Sequence, residues 1–588
     1  MTKSVKHQRQ QAVPKTAVPA QGKKGAAVPA SGRMALWTDL LAALALYLFF
    51  TLVVGDLLER TQQESFVTAN AEQMSFLTGQ AGGYVYLAGR WALTLCKCKW
   101  GGGLLLTLLL VGTACLWRKI LGLPKALKGW AYIVPVLCCA WLVGQGTNLY
   151  YKAEPSMLVL VPMGLLLASL VVYGLRRCLL RGRGDRSQAP VGRRAAVVAL
   201  LVPVVLAGGG SWATLRYAEN DLVAARVQLL CERADWDGII RSVEAARRPN
   251  RTMAAFYAIA LVQDGSLLEN CYNIPYDYPD PGYHKCRDGN SEYALFEPEC
   301  NFYAGLYNAA ARAAMERYVM DSPSIRQLKT MTLAAVMNEE KALALKYLRV
   351  LEDVPFEGKF VEKYRPMALN PALINEDPTL AAVKRLYPQE SHFEQQYRQP
   401  AFLGYNVGLM SGSDQTLVTS IAACLYSKDL NAFMMRAPIY LQKHPTGVPA
   451  TVAQALLIAS LHRPEVERQY ASIIQPYGSM ASAFMQEVKP LLEANKPAQK
   501  AEEEQLDADF KARKQQLLAS GDTPEAVQEK LEDLEKEHKQ QRIDIDSRYK
   551  RRLREALREN WLGTYFYYYY CENNELSQTR KVESAGVN

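Results

Sequence analysis

Two groups of residues in this chain have types and spacings that could support chemistry. Asp56, Glu59 and Glu64 lie just beyond the first apolar run. A carboxylate in that place could serve as a catalytic acid, and Asp56 and Glu59 are the candidates. The simpler expectation is that they are solvated loop carboxylates. The second group is Cys271, Cys286 and Cys300, set in a segment rich in Tyr, Pro, Asp and Gly. In an oxidising compartment two of the three could form a disulfide. They could also remain thiols, or join His284 around zinc, although spacings without a close Cys pair suit zinc poorly. Cys96 and Cys98 form a Cys-x-Cys pair flanked by lysines. There is no phosphate-cradling Gly-rich loop, no His-Glu-x-x-His and no Gly-x-Ser-x-Gly. The six histidines are scattered, and no nucleophile has a local base. Catalysis is therefore not the leading expectation, and no cofactor or metal is expected.

The elements that carry these residues fall into two classes. The 588 residues hold 68 basic and 58 acidic side chains; 23 of the basic and 7 of the acidic precede Arg216. A basic, apolar first third is thus joined to a mildly acidic remainder. Residues 1–33 have seven basic and no acidic side chains and too few apolar ones to fold, so they read as a disordered tail. Five apolar runs follow, at about 36–54, 102–117, 129–146, 157–175 and 195–215. A membrane span needs roughly 20 apolar residues, and 102–117 is short for one. Aromatic residues such as Trp37, Trp100, Trp117, Trp130, Tyr150 and Trp212 lie near run ends, as at membrane interfaces. Basic residues gather in the tail, in the loop with Arg118, Lys119, Lys125 and Lys128, and in the loop from Arg176 to Arg194. These are alternate loops. The expected arrangement is a cytoplasmic N-terminus, five crossings, and everything after Leu215 on the far side. Anionic lipid headgroups are the expected partners of the arginine loops, not a nucleic acid. The stretch 76–95 has one charge, Arg90, and several glycines; it is read as re-entrant or interfacial, with a sixth span as the alternative.

From 216 to 494 the pattern is helix after helix. Trp236, Ile239, Ile240 and Val243 form one stripe at helical spacing. Ser324–Asn338 and Lys341–Asp353 form the clearest pair of helices, and Tyr303–Tyr318 reads as another helix. Short breaks between helices suggest stacked antiparallel pairs, a tetratricopeptide-like solenoid. Residues 495–560 read as a charged helical hairpin split by Gly521-Asp522-Thr523-Pro524. Its apolar seam is narrow, so it is expected to stand off the solenoid without supporting it. Residues 561–588 begin with a block containing Tyr-Phe-Tyr-Tyr-Tyr-Tyr, which must dock on the solenoid or the membrane face. The expected fold class is all-α: a polytopic membrane region, then a soluble α-solenoid with a charged hairpin.

Gly82-Gly83-Tyr84-Val85-Tyr86-Leu87-Ala88 before a short span, Tyr303-Ala304-Gly305-Leu306-Tyr307-Asn308-Ala309-Ala310, Ala344–Leu351 and Gly563-Thr564-Tyr565-Phe566-Tyr567-Tyr568 together resemble an uncharacterised Bacteroidetes membrane-protein family. Against that pattern Gln80 and Ala81 replace a proline, Cys96 and Cys98 replace aromatics, and the 496–560 hairpin looks like an insertion. The resemblance implies an inner-membrane protein with a periplasmic helical-repeat domain. It implies no active site. The leading expectation is a membrane-anchored periplasmic scaffold that binds a protein partner, at the solenoid or hairpin, during cell-envelope assembly or secretion. The alternative is a membrane enzyme or transporter for a lipid-linked sugar. In that reading Asp56 and Glu59 correspond by position to the first-outer-loop acid of membrane glycosyltransferases.

Overall fold

In a computed structural model of the chain, the described residues are 32–123, 130–145, 154–179, 193–247, 249–276, 298–320, 322–387, 414–519 and 523–572. The basic tail, much of the arginine loop, and His284 with Cys286 lie outside them. Among the described residues the structure is helical and contains no strand.

Among the described residues the first part includes α1 (Gly32–Leu48), α2 (Gly55–Gln63), α3 (Gly83–Leu93), α4 (Lys99–Leu121), α5 (Ile133–Gln145), α6 (Met157–Leu179) and α7 (Arg193–Tyr217), with one further helical turn at Ser75–Thr78. Two of them, α4 and α6, are long and apolar enough to cross a membrane. A third crossing arises if α1 and α2 count as one span; they are joined by a π-helical turn, Phe49–Val53, and bent by 61°. The run at 102–117 was short as a sequence. It becomes a 23-residue helix because Lys99, Trp100 and the Arg118–Leu121 turn continue it. Within the run at 129–146 the described α-helix is α5, of 13 residues. The stretch 76–95 does not form a span, because α3 has 11 residues. It rises about 16 Å, near half of a hydrocarbon core.

Glycines set the close contacts here. A Cβ at Gly103 of α4 would lie 2.4 Å from Thr51 Oγ1, and one at Gly89 of α3 would lie 2.6 Å from Leu160 Cγ on the first turn of α6. Only a residue without a side chain allows these approaches. At one end of the group, Arg118 of α4 pairs with Asp39 of α1, and the Tyr132 hydroxyl donates to Asp39 at 3.4 Å. At the same end, Arg176 of α6 donates to the Lys119 carbonyl. The start of α1 and the ends of α4 and α6 therefore share one face, the basic one.

The second part begins with α8 (Glu219–Glu232), α9 (Trp236–Glu244) and α10 (Arg251–Asp264). After a short α11 (Pro298–Tyr303) come α12 (Tyr307–Met320), α13 (Ile325–Met337), α14 (Lys341–Glu352) and α15 (Gly358–Leu369). The stripe on α9 packs as expected, with Ile239 and Val243 buried. The pair α13–α14 lies where the sequence reading puts it, but the sequence points to Ser322-Pro323 as cap and first-turn proline, and Ser322 stands outside the helix at φ +121°. Ser324 caps α13 by accepting from the Gln327 N–H, and Asn338 closes its C-terminus. The helix expected from Tyr303 starts later, at Tyr307. Gly305 breaks it with φ +84°, and a Cβ there would lie 2.5 Å from the Leu386 carbonyl carbon. Each connection in α12–α15 is short, so the chain reverses each time and the turns at 322–324 and 353–357 lie at one end. The short α16 (Pro378–Arg385) follows, then α17 (Asp414–Tyr426), α18 (Leu430–Lys443) and the largely apolar, uncharged α19 (Ala450–Ser460).

The charged hairpin consists of α20 (Gly478–Leu518) and α21 (Pro524–Trp561). Its first helix starts well before position 495 and runs through Pro490 and Pro497. Its base does not stand off the helical domain: Phe484, Val488, Leu553, Leu557 and Trp561 are buried in the main core. Charge dominated the sequence pattern and hid the few large apolar residues that anchor the base. The distal part is held by surface pairs, including Arg513–Glu537 and Lys514–Glu535. The aromatic block forms α22 (Tyr565–Cys571), capped by Thr564, and it docks on the helical domain. Tyr565 donates to the Leu425 carbonyl at 3.0 Å and Tyr568 to the Tyr426 carbonyl. Burial raises both hydroxyls well above the ordinary tyrosine range.

Candidate functional site

A constellation of buried charged side chains lies where α2 and the segment after it meet the helical domain. It grows from local sequence rules. Arg60 and Glu64 stand four residues apart and pair at 2.6 Å. Arg326 and Lys329 stand three apart on α13, at the end that faces α2. Ser324 sets that helix start, and the Ile325 N–H donates to the Ser65 carbonyl at 3.1 Å. Arg326 then reaches two carboxylates: Glu64 at 2.9 Å and Glu299, whose second contact is 2.7 Å. Arg60 also donates to Gln228 of α8. Both guanidinium groups are almost wholly buried.

A second knot lies beside the first. Glu357, in the turn after α14, accepts from Lys97 at 2.7 Å and from Lys329 at 2.8 Å. Lys329 also stands 3.8 Å from Glu232. A third lies near the start of α6. Arg90, the one charge of its apolar stretch, is buried and grips Glu154 at 2.7 Å, the Phe66 carbonyl at 3.0 Å and the Ser322 hydroxyl at 3.2 Å.

The electrostatics are those of a locked joint. Burial pushes Glu64 and Glu232 up. The cations beside them outweigh this, Arg60 and Arg326 for Glu64 and Lys329 and Arg60 for Glu232, and hold both carboxyls below their usual range. Burial pushes Lys329 down, but Glu232 and Glu357 hold it above its usual value. Glu64, Glu232 and Lys329 therefore stay charged near neutral pH.

The candidates from sequence find other surroundings. Asp56 accepts from Arg226 at 2.9 Å and Glu59 from Arg233 at 3.0 Å, so both tie α2 to α8. Burial raises Glu59 in spite of Arg233. A cleft of about 440 Å³ between α1, α5 and α7 is lined by Leu46, Phe49, Tyr132 and Gly210, with Thr214 and Asp221 among its lining; Asp56 and Glu59 do not line it. Cys271 is buried, its sulfur 3.4 Å from the Tyr276 hydroxyl, and burial pushes its thiol up to about 12. Cys300 is buried on α11. Cys286, with every pairing that involves it, lies outside the described residues. Among the described residues no cluster of three or more His, Cys, Asp or Glu could hold a metal ion.

Sequence reasoning singled out Asp56 and Glu59 and missed Arg60, Arg326, Lys329 and Glu299. Two signals were available: the Arg60–Glu64 spacing, and two cations on one face of a helix that is otherwise uncharged. Neither reveals a partner more than 200 positions away.

One family model matches the chain, over residues 32–223 and 217–572; it is described as a family of unknown function (DUF6057). The chain belongs to that family. The two matched pieces meet at the start of α8, where the membrane-side helices give way to the helical domain. No curated protein and no solved structure matches the chain.

Proposed function

We propose that this family member is a scaffold of the inner membrane. In this reading the N-terminus is cytoplasmic, the membrane-side helices anchor the chain in several passes, and the helical domain lies in the periplasm as a tetratricopeptide-like solenoid. The solenoid and its charged hairpin hold a protein partner during cell-envelope assembly or secretion. One observation carries the reading: the buried ionic joint fixes the helical domain to the membrane-side segment, while the distal hairpin shows a dense, exposed surface of both charge signs. A buried charge pair is a weak source of net stability but a strong constraint on geometry, since breaking it strands a charge. A stiff mount with an exposed arm suits presentation of a docking surface at a set height above a bilayer.

The alternative, an enzyme or transporter for a lipid-linked sugar, draws on the apolar cleft between α1, α5 and α7, which suits a lipid tail. Its proposed acids sit against arginines and away from that cleft.

Cross-linking and affinity purification of the full chain from native membranes tests the scaffold. Excision of Ala508–Glu537, with Asp507 rejoined to His538 through two glycines, should remove a reproducible partner. Their side chains meet across the hairpin, His538 Nε2 lying 2.8 Å from Asp507 Oδ1, so the closure joins facing turns of the two helices. If the same partners co-purify after excision, the hairpin is not the docking surface. If the phenotype follows Asp56→Ala and Glu59→Ala while the helical domain is dispensable, the alternative replaces the scaffold.

A further inference from the structure

The end of the helical domain that meets the membrane-side helices also exposes large apolar side chains. Met320 and Val319, at the end of α12, are 82% and 73% exposed, and Phe356, in the turn before α15, is 64% exposed. Both sites border the joint. Ser322, two residues after Met320, is held by Arg90, which lies next to Gly89 and its contact with the first turn of α6. Glu357, immediately after Phe356, is held by Lys97, two residues before α4 begins. The two turns are therefore fixed at the level where α4 and α6 start. Phe356 adopts φ +68°, a left-handed conformation that is costly for a bulky side chain, and its ring remains exposed. Exposed residues of α3, the turn after it and the start of α4, Tyr84, Trp91, Leu95 and Trp100, extend the apolar surface around the same level.

We infer that this end of the helical domain rests in the interfacial layer of the bilayer, with Val319, Met320 and Phe356 inserted among the lipids. A lipid surface is the occupant because these side chains stand beside the entry points of the two helices long enough to cross a membrane, and aromatic and apolar residues partition to that layer. The inference rests on the membrane placement of α4 and α6 proposed above. The domain then has two attachments, the ionic joint and this apolar foot.

A photoreactive diazirine amino acid placed singly at positions 320, 356, 341 and 108 tests it. The full chain is reconstituted in nanodiscs of phosphatidylethanolamine and phosphatidylglycerol, and lipid adducts are read by mass spectrometry. Leu108 is exposed on α4, in mid-span. Lys341 is exposed at the opposite end of α13, about 20 Å from the foot by helical rise. Lipid adducts at 320 and 356 should match those at 108 and exceed those at 341 by about tenfold, the contrast expected between insertion and no contact. Adducts at 108 with only the level of 341 at 320 and 356 would overturn the foot and leave the membrane placement standing. No adduct at 108 would overturn the membrane placement, and the foot with it.

Discussion

Arg326 is the residue on which the joint turns, because one guanidinium serves both Glu64 and Glu299. Arg326→Met would leave two carboxylates buried without it. Removal of one partner from a buried pair costs about 3–5 kcal/mol, so equilibrium unfolding in detergent should show a loss of that size. Asp56→Asn breaks a pair with a half-exposed arginine and should cost under about 1 kcal/mol. Acidification should act through Glu64 and Glu232. Their folded carboxyls titrate below the ordinary value of 4.5, so the stability they contribute is full above that value and is lost as pH falls through the lower folded one. Lys329 titrates above its usual range; its contribution is present below that range and fades only as pH rises through the raised folded value. Melting temperature against pH should therefore be flat at neutrality and fall on the acid side. Glu64→Gln should lower the plateau and shallow the acid limb; an unchanged acid limb would show that Glu64 does not control the joint.

The hairpin divides into two elements that composition does not separate. Its distal half is held by solvent-exposed ion pairs, which contribute little and weaken with salt. The excision of Ala508–Glu537 should leave the unfolding free energy within about 1 kcal/mol of the intact chain, by the small worth of such pairs. The base behaves as core. Leu557→Ala should cost about 2–5 kcal/mol, the range for removing a buried leucine side chain. Phe566→Ala on α22 should cost about 3–5 kcal/mol, since its ring is buried and faces Phe484 across 6.0 Å. Circular dichroism melts of the three variants check both statements. Equal, large losses in all three would mean that the distal half is packed on something else.

At the scale of the whole molecule, the shared basic face of α1, α4 and α6 and the opposite joint make the protein polar from end to end. Reporter fusions after Arg186 should behave as cytoplasmic and fusions after Asn220 as periplasmic. The reverse pattern would turn the molecule over, and the oxidising surroundings expected for Cys271, Cys286 and Cys300 would then be lost.

What the sequence determined by itself is local. Helix class follows from apolar spacing at three and four residues, as in Trp236–Val243. Breakers such as Pro524 act within one turn, so the α13–α14 pair and the start of α21 are legible from the chain alone, although the cap of α13 is Ser324 and not, as the sequence suggests, Ser322. The apolar runs and the bias of basic residues are legible for the same reason, because hydropathy is a sum over neighbours. The tertiary structure alone decided which charges meet. Glu64 and Arg326 are 262 positions apart, and no local signal joins one to the other. It also decided that Asp56 and Glu59 serve as ties to α8, and that Leu557 lies in the core beneath a charged helix. Burial is a property of the neighbours that folding brings together, and a side chain's charge takes its meaning from them.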